Sequence, residues 1–449
     1  MINFHQSWLD IGSGAPELAN TTAQLEIYVG DLNLTRNENI FSKTIQDHVI
    51  VSSYPLALWM LQNWWRLLYE PLPMKNNPDV SWRVAHELGA ANHGFVWPKI
   101  LFASDNKNVQ VWSTPSEANC QQSVKYINGT NNHTSIPISD FRQALIIFIS
   151  KVENRLEDKN LKGKDLSALF SIIKEEEENE GSKIYRKLEA LMGFDPDECS
   201  PNTMDYAINL YREHGESTLL ELAPIYGKTG NTEPLKPIEQ LINARGIYGN
   251  PTFTTKQKEN SANYNSPPWT LAVESARELR HEIGDTKKPI TTKMLFELLG
   301  IPSSNIDNWK TIGTPNVSVG IPTSKKYIKF LPRKKHRISK RFELSRYIGD
   351  YITTTNNQWL ASTDLGTSRQ KYQRAFAAEF LCPINSLIEF LEGNYSNEAI
   401  NHAASYFDVS EQTITSLLAN NNYIEHQPLN GLPYHIGYNQ MSTWPLPRK

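Results

Sequence analysis

At residues 370–383 the chain reads Gln-Lys-Tyr-Gln-Arg-Ala-Phe-Ala-Ala-Glu-Phe-Leu-Cys-Pro. This stretch lies in a predicted domain of residues 269–426, and the elements around it set the expected fold. Working outward, the predicted elements are a helix at 276–280, a helix at 294–299 capped by Gly300-Ile301, a strand at 326–330, a helix that opens at 341–344, and a helical end at 403–418. The order predicts a mostly helical domain with a small sheet.

This order resembles the ImmA/IrrE family of zinc metallopeptidases. Residues 376–383 are similar to the family's FAAELLMP run, and Phe407, Val409 and Ser410 match its usual helical end. The resemblance covers about 150 of the 449 residues. It implies a zincin-like C-terminal domain, and it implies a setting in which intact relatives cleave helix–turn–helix repressors encoded beside them.

The same resemblance places the family's metal ligands and general base on this chain. The first histidine ligand falls on Arg346, the general base on Tyr347, and the second histidine on Asp350. The glutamate ligand falls on Gln370, with Tyr372 as the next candidate. Zinc takes imidazole, thiolate or carboxylate donors, whereas a guanidinium is a permanent cation with no lone pair to give. A tyrosine, with a pKa of about 10, is a poor base at neutral pH. The site is therefore interpreted as vestigial, with no metal, no cofactor and no peptidase activity expected.

The replacing residues predict a polar substitute for the ion. Arg346 and Asp350 stand four residues apart on one helix face, which predicts an ion pair between them. Gln370 and Arg374 are predicted to add hydrogen bonds from the facing helix. A ligand site put to a new use is the alternative.

A run of basic residues leads into this helix. It comprises Lys325, Lys326, Lys329, Arg333, Lys334, Lys335, Arg337, Lys340, Arg341 and Arg346, with Glu343 as the sole acid. Such a loop suits the phosphates of DNA, RNA or a nucleotide, and a solvated charged loop is the ordinary alternative. Residues 400–418 also have a helix–turn–helix pattern, but almost no positive charge, which disfavours DNA reading.

Residues 1–135 predict a tryptophan-rich α+β unit. Leu25, Ile27 and Val29 alternate with polar residues as in a half-buried strand, helices are expected at 56–69 and 82–91, and a strand at 109–112. Six tryptophans are concentrated there: Trp59, Trp64, Trp65, Trp82, Trp97 and Trp112. A buried core is the favoured interpretation, and an aromatic ligand pocket or base-stacking platform is the alternative.

Two segments begin like the zinc-binding motif HExxH. In the first, His86-Glu87 is followed by alanine at the second ligand position, and His93 lies two turns away. In the second, His281 is followed by Asp285 on an amphipathic helix. A packed histidine and a surface histidine are the expected outcomes. An enzyme site around His86, Glu87 and His93 stays open as an alternative.

The middle of the chain predicts a helical region over 136–250, a linker over 251–268, and a tail over 427–449. Ala144, Ile147, Phe148 and Val152 recur at helical spacing, as do residues of 166–173. The acidic run 175–178 is expected to be a solvated helix face.

Composition excludes several protein classes. The net charge of −3 argues against nucleic-acid binding over the whole surface. There is no apolar run of about 18 residues for a membrane helix, and we expect no secretory signal because residues 1–15 lack a basic region followed by an apolar stretch. Cys120, Cys199 and Cys382 form neither a disulfide framework nor a zinc knuckle. We expect a cytoplasmic, α+β multidomain protein.

The leading hypothesis for function is a bacterial or phage-related regulatory protein that binds a partner without cutting it. The resemblance implies a helix–turn–helix repressor-like or phage protein as partner, in antiviral defence or a toxin–antitoxin pair. Two alternatives are a nucleic-acid-binding protein that uses the basic loop 325–346 and the N-terminal enzyme named above.

Overall fold

The chain forms two compact α+β units, the first comprising Met1–Met204 and the second beginning at Asp205. A computed structural model describes residues 1–74, 78–116, 122–130, 132–161, 164–228, 233–253, 267–302, 304, 316–323, 327–354 and 358–425. The sequence-based boundaries near residues 135 and 250 differ from this division. The predicted α+β, multidomain class is confirmed at this coarse level.

The first unit contains three small antiparallel sheets. Its strands are β1 (Ile2–Trp8), β2 (Thr22–Val29), β3 (Leu32–Asn33), β4 (Asn37–Asn39), β5 (Thr44–Gln46), β6 (Val49–Ser52), β7 (Lys99–Ser104), β8 (Asn108–Thr114), β9 (Val124–Tyr126) and β10 (Thr134–Pro137). They pair as β1-β2-β3 with β6 beside β2, as β7-β8-β10, and as β4 between β5 and β9. On β2 the side chains of Leu25, Ile27 and Val29 are buried and alternate with half-buried polar residues, which confirms the predicted strand.

Most helices of the first unit share one core with β1 and β2. The helices are α1 (Pro16–Asn20), α2 (Tyr54–Gln62), α3 (Trp64–Tyr69), α4 (Val80–His86), α5 (Ile138–Asp158), α6 (Lys164–Glu178) and α7 (Glu180–Leu191), and α8 (Pro201–His214) contains the unit boundary. Because α5 and α6 pack into this core, much of the predicted middle region belongs to the first unit. The six tryptophans between residues 59 and 112 are all buried, which confirms the core interpretation.

Three helical predictions need correction. The helix expected at 82–91 ends at His86, and a separate short 3-10 helix, Leu88–Ala91, follows it. The single helix expected at 56–69 breaks at Asn63, whose side-chain amide donates to the Trp59 carbonyl at 2.8 Å. On α5 the buried face includes Phe141, Phe148 and Val152, but Ile147 is 46% exposed. Spacing alone did not fix which side of the helix turns inward.

The second unit places helices around one four-stranded sheet. Its strands are β11 (Ile247–Gly249), β12 (Val317–Pro322), β13 (Ile328–Leu331) and β14 (Leu360–Thr363), in the antiparallel order β11-β13-β12-β14. Its helices are α9 (Glu216–Tyr226), α10 (Lys236–Asn243), α11 (Pro268–Glu282), α12 (Thr292–Leu298), α13 (Arg337–Thr353), α14 (Ser368–Leu381), α15 (Ile384–Leu391), α16 (Asn397–Phe407) and α17 (Glu411–Asn420). The strand predicted at 326–330 is found as β13, and β11 joins it from the predicted middle region.

Helices α13 and α14 approach each other closely. A Cβ atom added at Gly349 on α13 would lie 2.7 Å from the Phe376 ring on α14, well inside ordinary van der Waals contact. Glycine therefore permits the crossing that brings residues 346 and 350 next to the start of α14.

Candidate functional site

The positions that the resemblance assigns to zinc ligands lie where α13, α14 and β14 meet. The Thr367 side chain caps α14 by accepting from the Gln370 amide at 3.3 Å, which fixes the start of that helix. Arg346, Asp350 and Gln370 are all buried. The fold therefore brings the predicted site residues into one polar interior region.

Arg346 and Gln370 are bonded to each other. The Arg346 Nη2 donates to the Gln370 side-chain oxygen and, at 2.7 Å, to the Thr363 carbonyl. This confirms the predicted hydrogen bond of Gln370 across the helix interface. Burial, reinforced by the neighbouring Arg374, lowers the pKa of Arg346 to about 9, which leaves it cationic at neutral pH.

The predicted ion pair between Arg346 and Asp350 does not form. Asp350 instead accepts from Arg369 Nε at 2.7 Å and from Arg369 Nη2 at 2.8 Å, and from the Ala361 amide at 2.9 Å. Arg369 lies on α14 and offers two parallel donors, a geometry that a carboxylate binds strongly. A partner from the facing helix therefore replaces the one predicted on the same helix.

Glu221, a buried carboxylate on α9, was not predicted as part of the site. Its oxygens accept from Gln370 Nε2 at 2.8 Å and from the Thr367 hydroxyl at 2.8 Å. Burial raises the pKa of Glu221. The available signal was one acid within the apolar run Leu219–Ala223, because a carboxylate in such a run needs a buried partner.

Tyr347, at the position of the general base, points to the sheet. Its hydroxyl donates to the carbonyls of Val319 and Leu331, at 3.2 and 3.3 Å. Burial raises the pKa of Tyr347 well above its ordinary value. A protonated phenol that already donates to the backbone cannot take a proton from water at neutral pH.

These residues do not fit a zinc ion. Arg346 offers only donors, Gln370 is bonded on both its oxygen and its nitrogen, and both Asp350 oxygens accept from Arg369. Among the residues that the structure describes, no group of three or more His, Cys, Asp or Glu side chains could hold a metal ion. No step of hydrolysis through a metal is derived for this site.

The basic run does not form one exposed surface. Arg333 and Arg341 are buried, and Arg333 binds the Asp364 carboxylate at 2.6 and 2.9 Å. Arg341 donates to the Asp408 carbonyl at 3.1 Å, and Arg337 pairs with the Asp408 carboxylate. Phosphate contacts by Arg333 and Arg341 on the surface are therefore excluded in this structure.

The other lysines of the run differ in their exposure. The Lys329 ammonium donates to the carbonyls of Ile242 and Ala244 at 2.6 and 3.1 Å. Lys335 is exposed, Lys334 and Lys340 are half-buried, and Lys325 and Lys326 lie outside the described residues. Several basic residues of the run therefore donate to acceptors within the second unit.

The helix–turn–helix pattern is present as α16, a turn at Asp408, and α17. Asp408 adopts the left-handed conformation with φ 56°, and the Ser410 side chain caps α17 by accepting from the Thr413 amide at 3.1 Å. Glu411, Gln412 and Thr415 are exposed, and Ser416 is half-buried. Because Arg337 and Arg341 hold the turn, it is part of the packing of the second unit.

His86 is a buried structural residue. Its Nδ1 lies 3.0 Å from the Phe102 carbonyl and its Nε2 lies 3.0 Å from Glu70, and its ring stacks on Trp82 with centroids 4.1 Å apart. Burial lowers its pKa despite the neighbouring carboxylate of Glu70. The packed histidine is confirmed, and the exposed position of His281 confirms the second expectation.

The three residues of the alternative N-terminal enzyme site have separate surroundings. Glu87 pairs with Arg83 at 2.6 Å, and His93 lines an open pocket of about 290 Å³ beside Trp59. His86 is not among the residues that line this pocket. The contacts of His86, Glu87 and His93 therefore do not form a shared catalytic centre.

The acidic run on α6 is only partly a solvated face. Glu177 accepts from the Trp64 indole at 3.1 Å and pairs with Arg142, and Glu176 accepts from the Trp65 indole at 2.9 Å. Glu176 and Glu177 therefore bind the indole groups of buried tryptophans, which the charge pattern did not predict.

Within the described ranges no helix is both long and apolar enough to cross a membrane. Comparison of the chain with protein-family models, with curated proteins and with solved structures gave no match.

Proposed function

We propose that this chain is a non-proteolytic, ImmA/IrrE-like protein that binds a partner protein and regulates it without cutting it. The observation that carries the proposal is the hydrogen bond of Arg346 to Gln370. These are two of the positions at which the resembled family holds its ion, and here the two side chains bind each other. A binding role needs the shape of the domain and does not need the metal.

Three further contacts support a site kept for structure. Arg369 holds Asp350, Glu221 holds Gln370, and the sheet carbonyls hold the Tyr347 hydroxyl. Every position carried over from the metallopeptidase motif therefore has a hydrogen-bond partner within the fold. Removing one member would leave a buried polar group without its partner, so the set is expected to stabilise the domain as a unit.

The partner class follows from the resemblance. Intact relatives act on helix–turn–helix repressors, so we propose a helix–turn–helix repressor-like or phage protein as the partner, in a defence or toxin–antitoxin setting. Without a base or a metal, binding would end in sequestration of the partner and not in its cleavage.

The test is co-expression of the full chain with the helix–turn–helix protein encoded next to its gene. We expect a complex that stays together in size-exclusion chromatography and a partner of unchanged mass by mass spectrometry. An unrelated helix–turn–helix protein serves as the control and should elute separately. A shortened partner, or separate elution of both proteins, would refute the proposal.

A further inference from the structure

Three buried arginines converge on one short segment after β14. This arginine cluster consists of Arg333, Arg346 and Arg374, which are only 9%, 5% and 3% exposed, respectively. All three donate hydrogen bonds to residues 363–365. Arg346 donates to the Thr363 carbonyl at 2.7 Å, and Arg374 donates to the Leu365 carbonyl at 2.8 Å. Arg333 donates to the Asp364 carboxylate at 2.6 and 2.9 Å. The guanidinium groups therefore lie close together in the interior of the second unit.

The positive charge of the cluster is only partly balanced. Arg333 pairs with Asp364, and its Nε lies 3.8 Å from Glu343. Arg346 and Arg374 form no ion pair with a carboxylate of the described residues, since their acceptors are carbonyls and the side chain of Gln370. Buried charges of this kind are normally paired, because removing them from water is costly.

Several donors of the cluster also have no partner. Arg346 Nε, Arg374 Nε and Arg374 Nη1 are buried and make no hydrogen bond within the described part of the chain. Burial and the neighbouring guanidinium groups lower the pKa of Arg346 to about 9, and burial lowers that of Arg374 to about 10. Both remain charged at neutral pH, so the cluster combines excess positive charge with unused donors.

We propose that the arginine cluster binds a phosphate group. A guanidinium presents its donors as a planar fork that matches two oxygens of a phosphate, so the phosphate oxygens would supply the acceptors that the donors of Arg346 and Arg374 lack. The burial of the cluster excludes the backbone of a nucleic-acid duplex and favours a small ligand, either inorganic phosphate or a mononucleotide. The proposal rests on the cluster itself and holds whether or not the family resemblance does.

The direct test is a titration of the full chain in phosphate-free buffer. Inorganic phosphate, AMP and sodium chloride at matched ionic strength are added separately, and thermal unfolding and isothermal titration calorimetry are recorded. We expect a saturable rise in Tm and measurable heat with phosphate or AMP, but not with chloride. Competition between phosphate and AMP distinguishes the two sources of the group. A linear, unsaturable rise would be the general effect of an excluded salt and would overturn the proposal.

Variants locate the site. Arg374→Met keeps an unbranched, uncharged chain and removes the fork, and should weaken phosphate binding by about tenfold or more. Lys335→Met removes an exposed cation from the same unit and should change the Kd by less than about twofold. Equal phosphate responses in the wild type and Arg374→Met would contradict the assignment. If Arg374→Met does not fold, the wild-type titration still decides, because the absence of a saturable response up to about 10 mM phosphate refutes the site.

Discussion

The Arg346 guanidinium donates to the side-chain oxygen of Gln370 and so joins α13 to α14. The two residues are separated by 24 positions, and each stands where the resemblance places a metal ligand. A guanidinium and an amide that bind each other thus stand at positions where the resemblance implies metal ligands. The consequence is a cluster of buried polar contacts whose members should affect stability strongly.

Arg369→Met is expected to destabilise the protein, because it leaves the Asp350 carboxylate buried without its paired cation. Breaking a buried pair from one side costs about 3 kcal/mol or more. Arg369→Lys keeps the charge but loses the two-donor geometry, so its free energy of unfolding should lie between those of Arg369→Met and the wild type. Urea unfolding measures the difference.

The matched control is Lys287→Met, which breaks the exposed pair of Lys287 with Glu389. It should change the free energy of unfolding by less than about 0.5 kcal/mol. If Arg369→Met had an equally small effect, the Asp350 pair would not be the stabilising contact described here.

Asp364 is expected to stabilise the folded protein at neutral pH and to lose this effect in acid. Burial alone would raise its pKa, but Arg333 overcomes that effect, so the pKa is lowered from 3.8 to about 2. The lowered pKa means that the stabilisation is complete above about pH 4 and is lost as the pH falls through about 2. A shift of this size corresponds to about 2 kcal/mol.

Asp364→Asn should therefore unfold at a lower urea concentration than the wild type at pH 7. The gap between their unfolding midpoints should close as the pH approaches 2. Chemical unfolding at several pH values checks this. Glu389→Gln, at an exposed position, should show no comparable closing gap. A gap that stayed constant over this range would mean that the pKa of Asp364 is not lowered by Arg333.

Gly349→Ala is expected to destabilise the second unit although alanine favours helices by about 1 kcal/mol over glycine. The added methyl would lie 2.7 Å from the Phe376 ring, so α13 and α14 must move apart, at a cost of about 1–3 kcal/mol. Gly89→Ala is the control, because nothing lies within 4 Å of a Cβ there. The double variant with Phe376→Leu should recover part of the loss. Additive losses in the double variant would show that the two residues do not clash.

Much of the local structure was readable from the sequence because it depends on patterns within one segment. The alternation of Leu25, Ile27 and Val29 predicted β2, and the large area of the tryptophan side chains predicted the buried core. The cross-helix bond of Gln370 also followed, since the resemblance set α14 opposite α13.

The remaining parts depend on contacts between segments far apart in the chain. Asp350 had a plausible partner four residues away, but Arg369 from the facing helix offers better geometry. Glu221 lies 149 residues before Gln370, and the apolar run around it indicates a buried acid but does not identify its partner. The basic run looked like a surface because its own sequence contains one acid, whereas Asp364 and Asp408, which bind its arginines, lie downstream.

The metal content of the freshly purified full chain tests the central claim most directly. Zinc per chain is measured by mass spectrometry after purification without chelator, alongside Asp350→Asn, which removes the carboxylate retained at a ligand position. We expect a zinc content far below one ion per chain in both proteins. One zinc ion per wild-type chain, lost in Asp350→Asn and lost together with peptide hydrolysis on chelation, would contradict it.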